Sequence, residues 1–187
     1  MPSLDQLWMP IVLAAVLVFV MSALIHMVFK WHNSDYRGFS NEDEVREVIR
    51  KSNPGLGGYI VPYCKDQKDM ARPEVIQKFT EGPIAVINLM KPGAPNMGKT
   101  LALWFVLTLL IALASGYLAS RTVPVGAGFL AVARVVSITT FLAYAGGSVA
   151  SMIWMGKAQS ATMKEVFDAF LYGLVTAAAF GWLWPQS

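Results

Sequence analysis

Residues Gln6–Phe29 read QLWMPIVLAAVLVFVMSALIHMVF, 24 positions without a charged side chain. A helix needs roughly 20 mostly apolar residues to cross a hydrocarbon core of about 30 Å. Three further windows share the property: Thr100–Ser120, Val135–Gly156 and Ala169–Ser187, of 21, 22 and 19 residues. The expected fold is therefore a membrane all-α protein with about four transmembrane helices. Pro10 suits the first turn of span one, where its missing N–H costs nothing. Trp8 and Trp31 bracket that span as interfacial aromatics. No Lys or Arg precedes it, and it is longer than a signal-peptide core, so it is read as an uncleaved span.

The charge is gathered between the first two windows. Residues 30–99 hold 11 of the 15 basic and 9 of the 12 acidic side chains, which makes a mixed-charge solvated region and not a nucleic-acid-binding stripe. They are expected to form a small α+β extramembrane domain. The division is 1–31 for the first transmembrane helix, 32–99 for the soluble domain and 100–187 for a three-helix transmembrane bundle. Ser40-Asn41-Glu42-Asp43 resembles a capping box opening an amphipathic helix with Val45, Val48 and Ile49. Asn53-Pro54-Gly55 stops it. Gly58–Pro62 and Ile84–Leu89 read as strands, with a short helix over Pro73–Thr80 between them. About 65 residues is near the lower limit for independent stability, so this domain is expected to lean on the spans or on a partner. Thr162-Met163-Lys164-Glu165 reads as a second capping box opening span four.

Lys and Arg collect in cytoplasmic loops. With 30–99 inside, 13 basic residues face the cytoplasm and 2 face out. The expected location is a bacterial inner membrane, multi-pass, N-out and C-out, with residues 30–99 cytoplasmic.

Small residues recur every fourth position in the later spans: Ala112, Gly116, Ser120; Thr139, Ala143, Gly147, Ser151; Gly173, Ala177, Gly181. Such stripes let helix backbones approach in lipid, so Gly116, Gly147, Gly173 and Gly181 are expected to be packing positions. Span one has no such stripe, and its bulky surface (Val12, Leu13, Val16, Val18, Phe19, Val20) is expected to face lipid or pack loosely.

Three polar residues in or near the spans are candidates for function. Arg134 either snorkels at an interface or lies deeper, depending on where span three begins. Asp168 lies near the start of span four and is expected to pair with Lys164, four residues earlier on the same helix face. His26 is near the inner end of span one. One histidine in a span rules out a bis-histidine haem within the chain, and the six-residue separation from His32 is not a shared-face ligand spacing. No metal or cofactor is expected. Cys64, the one cysteine, can form no internal disulfide and is read as a small core residue.

Gly93–Thr100 matches the phosphate-loop pattern G-x-x-x-x-G-K-[ST]. The helix that follows is apolar (Leu101-Ala102-Leu103-Trp104-Phe105), and no later segment supplies a parallel sheet with a Mg²⁺-binding Asp. The stretch is read as a turn whose Lys99 anchors span two. No acid/base pair or activated nucleophile is evident, so no enzyme is expected. Mid-membrane ionisable groups, which transporters and proton relays usually need, are missing. The expected role is a non-catalytic accessory or assembly subunit of a larger inner-membrane complex, of the respiratory or photosynthetic kind. Its partners are the lipid bilayer and other membrane-protein subunits. The alternative is a small oligomeric channel or carrier with Thr139 and Ser151 facing a pore.

Overall fold

A computed structural model describes all 187 residues, Met1–Ser187. The chain forms two compact units, Met1–Tyr36 with Asn96–Ser187, and Arg37–Pro95.

The first unit is helical. Its elements are α1 (Trp8–Ala23), α4 (Met97–Thr122), α5 (Phe129–Met155) and α6 (Gln159–Trp182). The first helix is extended at both ends, by a tight turn over Leu4–Leu7 and by a π-helical turn over Leu24–Phe29. Leu4–Phe29, Met97–Thr122 and Phe129–Met155 are three helices long and apolar enough to cross a membrane. The fourth helix, α6, carries Lys164, Glu165 and Asp168 in its first half.

Local chemistry sets the helix ends. Asn96 caps α4, its side-chain oxygen accepting from the Lys99 N–H at 3.0 Å. That helix stops just before Val123-Pro124, because the residue before proline is disfavoured in the α region. Gly156 ends α5 in the left-handed region at φ 66°, as a glycine allows without penalty. The α6 N-terminus differs from expectation. It begins at Gln159, so Thr162 lies inside the helix and its hydroxyl donates back to the Ala158 carbonyl at 3.1 Å. Glu165 is engaged by Lys157 at 2.5 Å and also accepts from Ser148, so it is not folded back on a cap.

Helices α5 and α6 form a hairpin, and α1 packs on α4 and α6. Leu7, Ile11, Ala14 and Ala15 meet Ala112, Ala119, Val136, Ala177 and Phe180 in one core. Here the expectation for span one holds for Val12, Val16 and Val20 and fails for Val18, which is buried. One face, Ile11, Ala14, Ala15, Val18 and Ser22, is buried, while Val12, Val16 and Val20 are exposed. Ala14, Ala15 and Ser22 recur at seven- and eight-residue spacing, which a search for four-residue repeats passes over. Between α4 and α5 the buried Ser115 and Thr140 hydroxyls bond each other at 3.1 Å. At the end of the bundle that holds the α4–α5 connection, Trp184 donates its indole N–H to the Pro124 carbonyl at 2.9 Å, and Gly126 N–H donates to Pro185 O.

The second unit contains α2 (Glu42–Lys51), β1 (Gly57–Val61), α3 (Pro73–Glu81) and β2 (Ala85–Leu89). The strands pair antiparallel, with Gly57 opposite Leu89, Tyr59 opposite Ile87 and Val61 opposite Ala85. Asn41, not Ser40, sits at the α2 N-terminus. Its side chain donates to Glu44 at 3.0 Å and makes no cap bond to the backbone. Asn53 ends the segment in a left-handed conformation at φ 46°, which asparagine tolerates. No side chain in residues 37–95 is buried. Val48, Ile49, Tyr59, Val61, Ile87 and Leu89 line an apolar cleft of about 420 Å³ between α2 and the sheet.

Candidate functional site

His26, His32, Asp35, Lys164 and Asp168 gather at one end of the helical unit, where the first helix turns over. The π-helical turn over Leu24–Phe29 widens the last turn, and such turns often occur at functional sites. Lys30 then adopts the left-handed conformation, φ 55° and ψ 23°, with its N–H bonded to the Ile25 carbonyl at 3.0 Å. The chain reverses there, and a short 3₁₀ turn over Trp31–Ser34 folds back. His32 thereby stacks on His26, ring centroids 4.7 Å apart and planes within 6°. The expectation that these two histidines do not share a face is thus corrected. It assumed a continuing helix, and the reversal at Lys30 removes that assumption.

The folded-back segment is clasped to α6. His32 Nε2 lies 2.7 Å from Asp168 Oδ2, and its Nδ1 lies 2.6 Å from Asp35 Oδ2. Lys164 Nζ donates to Asp35 Oδ1 at 2.6 Å, to the Trp31 carbonyl at 2.7 Å and to Ser34 Oγ at 2.8 Å. The expected Lys164–Asp168 pair is therefore replaced. Although four residues apart on α6, each reaches a different member of the 31–35 segment, because three acceptors there saturate the ammonium. Burial disfavours the Asp35 charge, but the contacts from Lys164 and His32 outweigh it and hold this carboxyl below its ordinary value.

Asp168 is only 4% exposed. One oxygen takes His32; the other, Oδ1, is buried without a hydrogen-bond partner, and so is the indole N–H of the neighbouring Trp31. His26 is exposed and its Nδ1 lies 2.9 Å from the Ser22 carbonyl of its own helix. Ligand atoms of His26, His32 and Asp168 all lie within 4.8 Å of one another. A cavity of about 380 Å³ opens beside them, lined by His26, His32, Asp35, Tyr36, Lys157 and Glu165.

The remaining candidates fall elsewhere. Arg134 is exposed on α5, five residues after Phe129, about 7.5 Å along the helix. Gly116 abuts Phe180 and Ile11, Gly173 abuts the Ser137 backbone and Gly181 abuts the Phe129 ring. Gly147 differs: a Cβ there would meet nothing within 4 Å. The buried face of α5 carries Val136, Thr140, Ala145 and Ser148, and the Ala143 and Gly147 positions of the four-residue stripe turn outward. At the phosphate-loop match, the Asn96 side chain occupies the Lys99 N–H that a phosphate would use, and the sheet is two antiparallel strands.

Asp35 is missed by the sequence reading, which takes Lys164 only as the partner of Asp168 and His32 only as a histidine off the face of His26. The available signal was the dense run Lys30, Trp31, His32, Ser34, Asp35 directly after an apolar span. No protein-family model, curated protein or solved structure matches this chain.

Proposed function

We propose that this chain is a non-catalytic, multi-pass membrane subunit that joins a larger inner-membrane assembly, with α6 crossing the bilayer beside the three more apolar helices. The observation that carries this reading is the extramembrane unit, which buries no side chain yet presents an apolar cleft. A segment of about 60 residues whose apolar side chains are at best half-buried is marginal alone, and a partner subunit is the natural source of the missing burial. Placing residues 30–99 in the cytoplasm follows from the Lys/Arg distribution.

The channel alternative needs a continuous polar lining. The buried hydroxyls are instead used locally. Thr108 donates to Phe105 O, Ser120 to Tyr117 O, and Ser115 and Thr140 bond each other. Of the two pore candidates, Thr139 donates to Val135 O and Ser151 to Gly147 O.

Gentle detergent extraction followed by native separation and mass spectrometry tests the subunit reading. The chain is expected to migrate with other membrane proteins at a mass well above 20.5 kDa. A lone chain that conducts ions or solutes in liposomes would reject the proposal in favour of the channel. The topology is checked by labelling Cys64 with an impermeant thiol reagent, which should react only after lysis.

A further inference from the structure

We propose that His26, His32 and Asp168 form a binding site for one divalent cation of the zinc class. Two imidazoles and a carboxylate, with positions left open, match the donor set of borderline first-row metals. Three observations carry the assignment beyond the proximity of three polar side chains.

The first is the pattern of outer contacts. A metal-ligating histidine commonly donates its other ring N–H to a carbonyl or carboxylate, which fixes the ring and leaves the ligating nitrogen free. Both histidines have such a partner at Nδ1: the Ser22 carbonyl at 2.9 Å for His26 and Asp35 Oδ2 at 2.6 Å for His32. For His26 this leaves Nε2 free to ligate, whereas His32 Nε2 is held by Asp168 Oδ2 at 2.7 Å and ligates only once that contact opens. Asp35 is itself held by Lys164 at 2.6 Å, so the support extends one layer further.

The second is Asp168. Its side chain is 6% exposed, and Oδ1 has no hydrogen-bond partner. Buried polar atoms without partners are rare in native proteins, and each calls for an explanation, an ion among them. The Trp31 indole N–H lies beside this carboxylate and is itself left without a hydrogen bond; a cation would satisfy the oxygen that the indole does not.

The third is access and fit. The two histidines line the 380 Å³ cavity, which gives an ion an entry path and leaves room for water on its open positions. Ligand atoms around a tetrahedral ion at about 2.1 Å stand roughly 3.4 Å apart. The atoms here lie within 4.8 Å of one another, with His32 and Asp168 at 2.7 Å. Closing the set requires the exposed His26 ring to swing in and the His32–Asp168 contact to open, releasing the proton shared between them. The ion would tie the end of the first helix, the folded-back segment and α6 together at one point.

The test uses the full chain in detergent, free of any histidine tag and stripped with a chelator. Zn²⁺ is the probe, with Co²⁺ as a spectroscopic stand-in. One Zn²⁺ per chain is expected to survive gel filtration, and Co²⁺ is expected to give the visible absorption of a low-coordinate nitrogen–oxygen site. His26→Ala is the decisive variant, since that side chain is exposed and its only hydrogen bond is to its own helix. It should keep the wild-type melting profile without metal and lose at least tenfold in Zn²⁺ affinity. Asp35→Asn, an outer-contact change, should weaken binding about 10- to 100-fold. Zn²⁺ binding that is absent in the wild type, or unchanged in His26→Ala, would overturn the site and leave the His32–Asp168 contact as a simple clasp.

Discussion

Gly173 lies so close to Ser137 that a Cβ added to it would sit 3.0 Å from the Ser137 carbonyl oxygen. The obstacle is backbone, so it cannot rotate away. Helices α5 and α6 can approach this closely only because the α6 position has no side chain, and close backbone approach is what holds helices together in lipid. Gly173→Leu should therefore force the hairpin apart at a cost of about 1–3 kcal/mol. Gly147→Leu, which points into open space, should leave the detergent melting midpoint within error of wild type. Equal losses from the two variants would show that the buried face of α5 is misassigned.

The Asp35 carboxylate should make the clasp on α6 sensitive to acid. Its folded pKa is depressed, so the unfolded chain takes up the proton first as pH falls. The contribution is complete above about pH 4, near the ordinary carboxylate value, and is lost as pH drops through the lower folded value. Thermal melts of wild type and Asp35→Asn from pH 6 to pH 3 should show a gap that narrows at the acid end. A gap that stays constant down to pH 3 contradicts the pairing with Lys164 and His32.

The segment 37–95 should not fold when made alone. Its apolar side chains are at best half-buried, so the surface they take out of water falls short of the chain entropy, which costs about 1–2 kcal/mol per residue for the backbone alone. Its circular dichroism should show no cooperative thermal transition, and its amide proton spectrum should be poorly dispersed. A sharp melt would mean that the unit carries its own core and does not depend on a partner.

Lys99→Ala should remove no nucleotide-dependent property. The Asn96 side chain already accepts the Lys99 N–H, and the two antiparallel strands offer no parallel sheet. Equilibrium dialysis with Mg²⁺ and ATP or GTP should show no specific binding by the wild type. Saturable binding abolished by Lys99→Ala would reinstate the phosphate loop.

The long apolar helices were legible because absence of charge over 20 residues is a one-dimensional property. Which face of each helix is buried was only half legible. Gly116, Gly173 and Gly181 abut neighbouring helices, whereas Gly147 belongs to an equally regular stripe that turns outward. Small residues permit contact without demanding it. The buried side of α1 escaped notice because Ala14, Ala15 and Ser22 sit among bulkier residues at longer spacing. The polar cluster was least legible of all. It depends on a left-handed Lys30, a conformation that no lysine announces, and on Lys164 preferring three acceptors in a distant segment to Asp168 one turn away.

The contact between His32 and Asp168 joins positions 136 residues apart. At about 5–20 residues per second of synthesis, the ribosome reaches Asp168 roughly 7 to 27 s after His32. For that interval the first helix has neither α6 nor its clasp, and His26 and Ser22 must wait at the membrane without their final neighbours. The pairing therefore dates the chain: it exists only on molecules whose last helix has been made. A partner that recognises the clasped end of the bundle would ignore every unfinished copy.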